Sequence, residues 1–153
     1  MVKALVLYHS QEYGNTAKMA RAVAEGLEEA GCKVDVFNTN DGRYDVTLLT
    51  GYDCVAFGTP DYYSYVAGGL KTFMDDHYIH RVRKGLKGLD GKLYSLFYSH
   101  GGGGRVKESL GLFKYVGTLV GETVGSYGSP DDRTLERCRA LGKELAKAAS
   151  VPS

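Results

Sequence analysis

The sequence predicts an α/β fold, a single-domain doubly wound five-stranded parallel sheet. Three observations lead there. Short apolar runs of strand length alternate with longer amphipathic stretches, giving five strands and four or five helices in alternation. Val2–Tyr8 and Asp53–Gly58 are almost wholly apolar, as strands covered on both faces must be. The 153 residues, 43% hydrophobic and 24% charged, suit one domain with one core. Strands so arranged are joined by right-handed crossovers, and ligands bind outside their carboxyl ends where strand order reverses.

Taken in order, Val2–Tyr8 is the first strand. In Ala17–Ala30, Met19, Val23 and Leu27 recur on one helical face, with Lys18, Arg21, Glu25 and Glu28 elsewhere, and Gly31 stops the helix. Lys33–Phe37 alternates and reads as the second strand. Asn38–Arg43 is turn-rich, and Tyr44–Thr50 has room only for a short helix. Asp53–Gly58 is the third strand, ended by Pro60-Asp61. Ala67–Asp76 then reads as a helix with Leu70, Phe73 and Met74 inward. His77–Gly91, carrying Arg81, Arg83, Lys84 and Lys87 among glycines, reads as a solvated loop. Leu93–Tyr98 is the fourth strand. Arg105–Val120 reads as a helix with Val106, Leu110, Phe113, Gly117 and Val120 on one stripe. Glu122–Tyr127 is a weaker fifth strand. Pro130-Asp131-Asp132 opens a last helix with Leu135, Cys138, Leu141 and Leu145 inward, and Val151-Pro152-Ser153 is a tail.

Composition removes several function classes. A net charge of +1 gives no basis for nucleic-acid binding. No apolar run approaches the roughly 20 residues that span a bilayer, and Met1 runs straight into the first strand, so neither a membrane segment nor a signal peptide is expected. Cys32, Cys54 and Cys138 lack CxxC or metal-ligand spacing. They read as buried, inert thiols of a cytoplasmic protein without a metal site.

Three loops fall at the carboxyl edge, and all carry unusual chemistry. Ser10-Gln11-Glu12-Tyr13-Gly14-Asn15-Thr16 joins a buried strand to a helix start. The free N–H groups and partial positive charge of that helix end suit a phosphate, with Ser10, Asn15 and Thr16 as further donors and no Lys or Arg in the loop. Thr59-Pro60-Asp61-Tyr62-Tyr63-Ser64-Tyr65 crowds three phenol rings beside the same edge, where their faces suit a flat ring system. Ser99-His100-Gly101-Gly102-Gly103-Gly104 lets main chain approach a ligand closely, with His100 as a candidate catalytic donor.

Together these loops resemble those of the flavodoxin-like FMN proteins. Ser10–Thr16 resembles the family's Ser-x-Thr-Gly-Asn-Thr phosphate loop, one residue longer and without the internal Thr. Gly58-Thr59-Pro60-Asp61-Tyr62-Tyr63-Ser64, with Phe73-Met74-Asp75 downstream, is similar to the corresponding segment of the tryptophan-repressor-binding-protein type of NAD(P)H:quinone oxidoreductase. Ser99-His100-Gly101 and the glycines after it resemble that branch's Ser-Thr-Gly loop, with His replacing Thr. The resemblance implies sheet order 2-1-3-4-5 and FMN as cofactor. It places the phosphate on Ser10 and Gln11–Thr16 and the ring between Thr59–Tyr63 and Ser99–Gly104. Tyr62 and Tyr63 would line the ring, and Thr59 and Pro60 would contribute hydroxyl and backbone contacts. The long flavodoxin insertion is absent. So is the branch's active-site His, whose segment here is Tyr115–Val120.

Two readings follow from the resemblance. One is an FMN-dependent oxidoreductase passing electrons from NADH or NADPH to a small-molecule, quinone-like acceptor, with a homo-oligomeric partner completing the pocket. The other is an electron carrier between redox protein partners. Carriers of this family are acidic around the flavin, and the balance of +1 here leans towards the oxidoreductase. A phospho-acceptor receiver domain shares the topology but needs two acids after the first strand, where His9 and Ser10 stand.

Overall fold

Side-chain alternation along β1 (Lys3–Tyr8) sets the layers in the computed structural model, which describes residues 1–151. Pro152 and Ser153 of the expected tail lie outside the described residues. Ala4 and Val6 face one side of the sheet and Leu5 and Leu7 the other, all buried. β3 (Cys54–Pro60) repeats the pattern, with Cys54 and Ala56 against Val55 and Phe57. Strands buried on both faces account for the near-continuous apolar runs.

The sheet is parallel throughout. β2 (Lys33–Asn38) and β3 flank β1, and β4 (Lys92–His100) lies beyond β3. The expected order 2-1-3-4-5 is borne out, with the fifth position divided. There β5 (Gly117–Leu119) pairs with Lys92–Tyr94, and β6 (Val124–Tyr127) pairs with Phe97–His100.

On one face, α1 (Asn15–Glu29) and α3 (Asp132–Ala149) lie side by side over Ala4, Val6, Ala56 and Phe97. Met19, Val23 and Leu27 are fully buried, as their spacing predicts, and so are Cys138 and Leu145. Asp131 caps α3 by accepting the Thr134 N–H at 2.8 Å. On the other face, α2 (Gly68–Tyr78) supplies Leu70, Phe73 and Met74. Phe57 stacks on Phe113 with centroids 4.4 Å apart and planes at 21°, each ring fully buried and contributing about 3 kcal/mol by area. All three cysteines are buried and free. Burial pushes the Cys54 and Cys138 thiols up to about 12, so both stay protonated and unreactive.

Three expectations are corrected. Arg105–Val116 is a 3-10 helix, not part of an α-helix reaching Val120. Its buried Leu110, Phe113 and Val116 recur every third residue, the spacing that lines up at three residues per turn. Gly117 accordingly leaves the helical stripe and starts β5, and the last strand begins at Val124, not Glu122. The short helix expected in Tyr44–Thr50 is present as a 3-10 helix at Val46–Gly51, capped by Asp45 accepting the Thr47 N–H. His77–Gly91 is not simply a solvated loop. α2 runs on through a π-helical turn, Ile79–Arg83, and Leu89 is fully buried.

His77 is the anchor of that connection. It is 1% exposed, and its Nε2 lies 2.5 Å from the Leu89 carbonyl oxygen, to which it donates. Burial lowers its pKa from the ordinary 6.5. The unfolded chain therefore takes up the proton more readily than the folded one. Stability is full above pH 6.5 and is lost as pH falls from there to the lower folded value. Urea unfolding at pH 5 and pH 7.5 should show this loss, and His77→Gln should flatten the pH dependence.

Candidate functional site

The first turn of α1 opens on a bare helix end. Gly14 takes the N-cap position at φ 76, a left-handed conformation glycine adopts without strain, and no side chain caps the helix. No acidic residue occupies the first turn. The donors an Asn or Thr cap would have consumed are left for a ligand. The preceding loop is braced from β2: Asn38 Oδ1 accepts the Ser10 N–H at 3.0 Å and its Nδ2 donates to the Ser10 carbonyl at 2.9 Å. Asn38→Ala leaves this pair of main-chain groups unmatched and should lower unfolding free energy by about 1–3 kcal/mol in a urea titration.

Behind the loop lies a histidine that sequence reasoning passed over as a site residue. His9 is 7% exposed. One ring nitrogen meets Thr39 Oγ1 at 2.9 Å and the other meets Gln11 Oε1 at 2.5 Å. Its ring also stands edge-on to Tyr62, with centroids 6.0 Å apart. It thus joins the phosphate loop to the aromatic loop from beneath.

The aromatic loop is a tight hairpin. Tyr62 and Tyr65 exchange both main-chain hydrogen bonds at 3.2 Å, and Tyr63 and Ser64 between them take φ of 56° and 62°. Two positive φ values at non-glycine residues cost on the order of 1–3 kcal/mol each. Asp61 holds the turn, accepting the Ser64 N–H at 2.7 Å on one oxygen and the Val106 N–H at 3.0 Å on the other. One carboxylate thereby joins the aromatic loop to the start of the 3-10 helix behind the glycine loop.

Opposite stands His100, in the wall formed by the end of β4. Its ring lies 5.9 Å from that of Tyr98 and 5.2 Å from that of Tyr127. Its Nδ1 is buried without a hydrogen-bond partner. Gly103 and Gly104 turn the chain at φ 75 and 64, and a Cβ on Gly104 would sit 3.2 Å from His100 Nε2. Ser99 Oγ lies 2.8 Å from Thr16 Oγ1, a buried bond between the third loop and the first.

Between these walls is a cleft of about 460 Å³. Of the expected site residues, Ser10, Gln11, Glu12, Tyr13, Asn15, Thr16, Pro60, Asp61, Tyr62, Ser99, His100 and Gly101 line it. The others do not. Gly14 supplies the helix cap instead, and Gly102, Gly103 and Gly104 carry the chain away behind His100. Thr59 is 1% exposed, and its hydroxyl is occupied by the Ala67 N–H and the Pro60 carbonyl. Tyr63 is a correction: the left-handed turn throws it outward, 104% exposed at the hairpin tip, and only Tyr62 faces the cleft. Burial, with Glu12 as a second cause, raises the Tyr62 phenol, which stays neutral.

A family model described as flavodoxin matches residues 6–134, including all three loops. The chain belongs to the flavodoxin family. A flavodoxin from the domain Archaea superposes with a TM-score of 0.82 at 26% identity, covering 98% of this chain and 100% of that one. A WrbA-like flavodoxin from Agrobacterium tumefaciens gives 0.79 at 23%, covering 97% and 98%. Rubredoxin oxygen:oxidoreductase from Desulfovibrio gigas gives 0.80 at 18%, covering 96% of this chain but 36% of that larger one. The last two likenesses speak for the fold alone.

FMN is the cofactor this family implies, and the cleft fits it. An uncapped helix end suits a phosphate, an edge-supported phenol suits a ring face, and the unpartnered Nδ1 of His100 suits a polar ring edge. In this flavodoxin-family chain the sequence reading missed His9, Asn38 and Gly128. Gly128 also lines the cleft, its N–H donating to the His100 carbonyl at 2.7 Å. The run Gly125-Ser126-Tyr127-Gly128 stands at a strand's carboxyl end, which was the available signal.

Proposed function

We propose that this chain is an FMN electron carrier that exchanges electrons with protein partners across the mouth of the cleft. Bound there, FMN supplies reversible electron transfer. The chain's residues bind and orient it. The α1 N-terminus, Ser10, Asn15 and Thr16 would hold the phosphate without a cation. Tyr62, and His100 with Gly101, would hold the ring. His9 keeps Tyr62 and Gln11 in place from below. His100 is the group that would hold a proton or hydrogen bond at the ring edge.

The observation that carries this reading is the character of the mouth. Tyr13 lines the cleft and is 77% exposed, Tyr127 packs its ring against the cleft-lining His100 and is 73% exposed, Tyr63 follows the cleft-lining Tyr62 at the hairpin tip, and no Lys or Arg lines the cleft. Exposed aromatic rims suit a protein partner. A nicotinamide dinucleotide brings a pyrophosphate with its own negative charges, and the charged residues lining this cleft are Glu12 and Asp61. The second reading, an NAD(P)H:quinone oxidoreductase completed by a second subunit, draws on the net charge of +1, since a carrier with basic partners is acidic.

Two measurements test the proposal. FMN fluorescence should be quenched on titration with apoprotein, and a titration without quenching removes the flavin site. Stopped-flow mixing of the FMN-loaded protein with NADH or NADPH should give no turnover-competent reduction. Fast reduction by either nucleotide would establish the oxidoreductase instead.

A further inference from the structure

We infer that this protein has a second docking surface, on the opposite edge from the cleft, for an acidic protein segment carrying an aliphatic or aromatic anchor. α2 leaves the carboxyl edge after β3 and ends where β4 begins, so the π-helical turn that extends it lies at the amino edge of the sheet. π-Helical turns are rare and concentrate at functional positions. This one faces the end of the 3-10 helix across a groove of about 360 Å³ whose apolar lining includes Met74, Tyr78, Val82, Leu112 and Tyr115. Tyr78, Val82 and Tyr115, which line the groove, are 48%, 51% and 53% exposed, and Ile79 beside them is 41% exposed, a grouping of apolar side chains of the kind found at interaction sites.

Charge names the occupant. Arg83 lies over the Tyr78 ring at 5.8 Å and Lys114 over Tyr115 at 5.2 Å, so cations stand at the aromatic walls. Lys84 and Lys87 continue the basic run, and a second depression of about 330 Å³ shares Arg81 and Val82 with the groove. Asp75 pairs with Lys71, and Asp90 with Arg81 at 3.2 Å, so these charges cancel in pairs and the excess comes from Arg83, Lys84, Lys87 and Lys114. His77 in the groove wall stays neutral, its pKa lowered by burial. In a chain of net charge +1, this edge is therefore a local excess of positive charge around an apolar slot. Carboxylates complement the rim, and an inserted apolar side chain complements the groove. A flat lipid surface offers no side chain to fill a concave slot. Because the flavin cleft lies across the sheet, such a partner binds with or without FMN.

The probe is a fluorescein-labelled peptide of glutamates with two leucines four residues apart, followed by anisotropy at low salt. We expect saturable binding that weakens about tenfold in Arg83→Glu/Lys84→Glu and in Val82→Glu, and about tenfold when the leucines become glycine. Amide shifts should map to Tyr78, Val82, Leu112 and Tyr115, and bound FMN should change nothing. Equal binding of the leucine-free peptide, indifference to the charge reversals, or shifts confined to the cleft would each overturn the inference. So would binding to phosphatidylserine vesicles without peptide binding, or self-association that the Val82→Glu variant abolishes without any peptide affinity. Unchanged melting of the surface variants establishes that they are folded.

Discussion

Asn15→Asp should weaken FMN binding about tenfold or more while leaving the apoprotein at least as stable as before. The two effects have opposite signs because one helix end serves two purposes. Asn15 is the first residue of α1, beside the uncapped Gly14, and it lines the cleft. A carboxylate there interacts favourably with the helix dipole, by about 0.3–1 kcal/mol in the free protein. The same carboxylate stands where the phosphate dianion must sit, and the nearest cations lie outside the lining residues. Like charges a few ångströms apart at a partly screened site repel by more than the roughly 1.4 kcal/mol that a tenfold change requires. Glu12→Gln is the converse test. Removing an exposed carboxylate from the same loop should tighten FMN severalfold at low salt and less at high salt, as surface screening demands. Fluorescence titration of apoprotein with FMN reads the affinity, and thermal melts of the apoprotein read the stability. An unchanged affinity in Asn15→Asp would mean that the phosphate lies elsewhere.

The sequence carried the layers and the site edge because both follow from local rules. The unbroken apolar run Ala4–Leu7, buried on both faces, and the four-residue recurrence of Met19, Val23 and Leu27 are written in hydropathy. The three loops were legible because strand ends in a parallel sheet all deliver their loops to one edge. What was not legible depends on partners distant in sequence. His9 reads as one more polar residue until Thr39 and Gln11 are placed against its ring. Tyr63 is indistinguishable from Tyr62 as a residue type, and only the turn geometry sends one ring out and the other in. The 3-10 helix was mistaken for an α-helix because Val106 to Leu110 fits four-residue spacing, while the next buried positions follow at three. His77 looked like part of a charged loop because the carbonyl of Leu89, its partner, belongs to a glycine-rich run with no pattern of its own.

Gly117→Ala should destabilise the fold by about 3 kcal/mol or more, the range of backbone clash rather than of lost contacts. A Cβ at that position would lie 1.7 Å from the Lys92 carbonyl oxygen and 2.6 Å from the Lys92 carbonyl carbon and nitrogen. All three are main-chain atoms of β4, which is held between β3 on one side and β5 and β6 on the other. No flexible side chain is available to move aside. Relief requires β5 to part from β4, and that exposes Val116, which immediately precedes it, and Phe113 three residues earlier, both fully buried. Gly111→Ala is the matched control. Nothing lies within 4 Å of its Cβ position, so the same added methyl should be neutral or stabilising by about 0.5 kcal/mol through reduced backbone entropy. Urea unfolding of both variants separates a glycine required for space from one merely tolerated. Because β5 pairs with Lys92–Tyr94 and the cleft borders the Phe97–His100 half of β4, the folded fraction of Gly117→Ala should still bind FMN with unchanged affinity. Equal costs for the two substitutions would place β5 outside the cooperative fold, and the divided fifth position would then be a detail of the edge rather than a support for it.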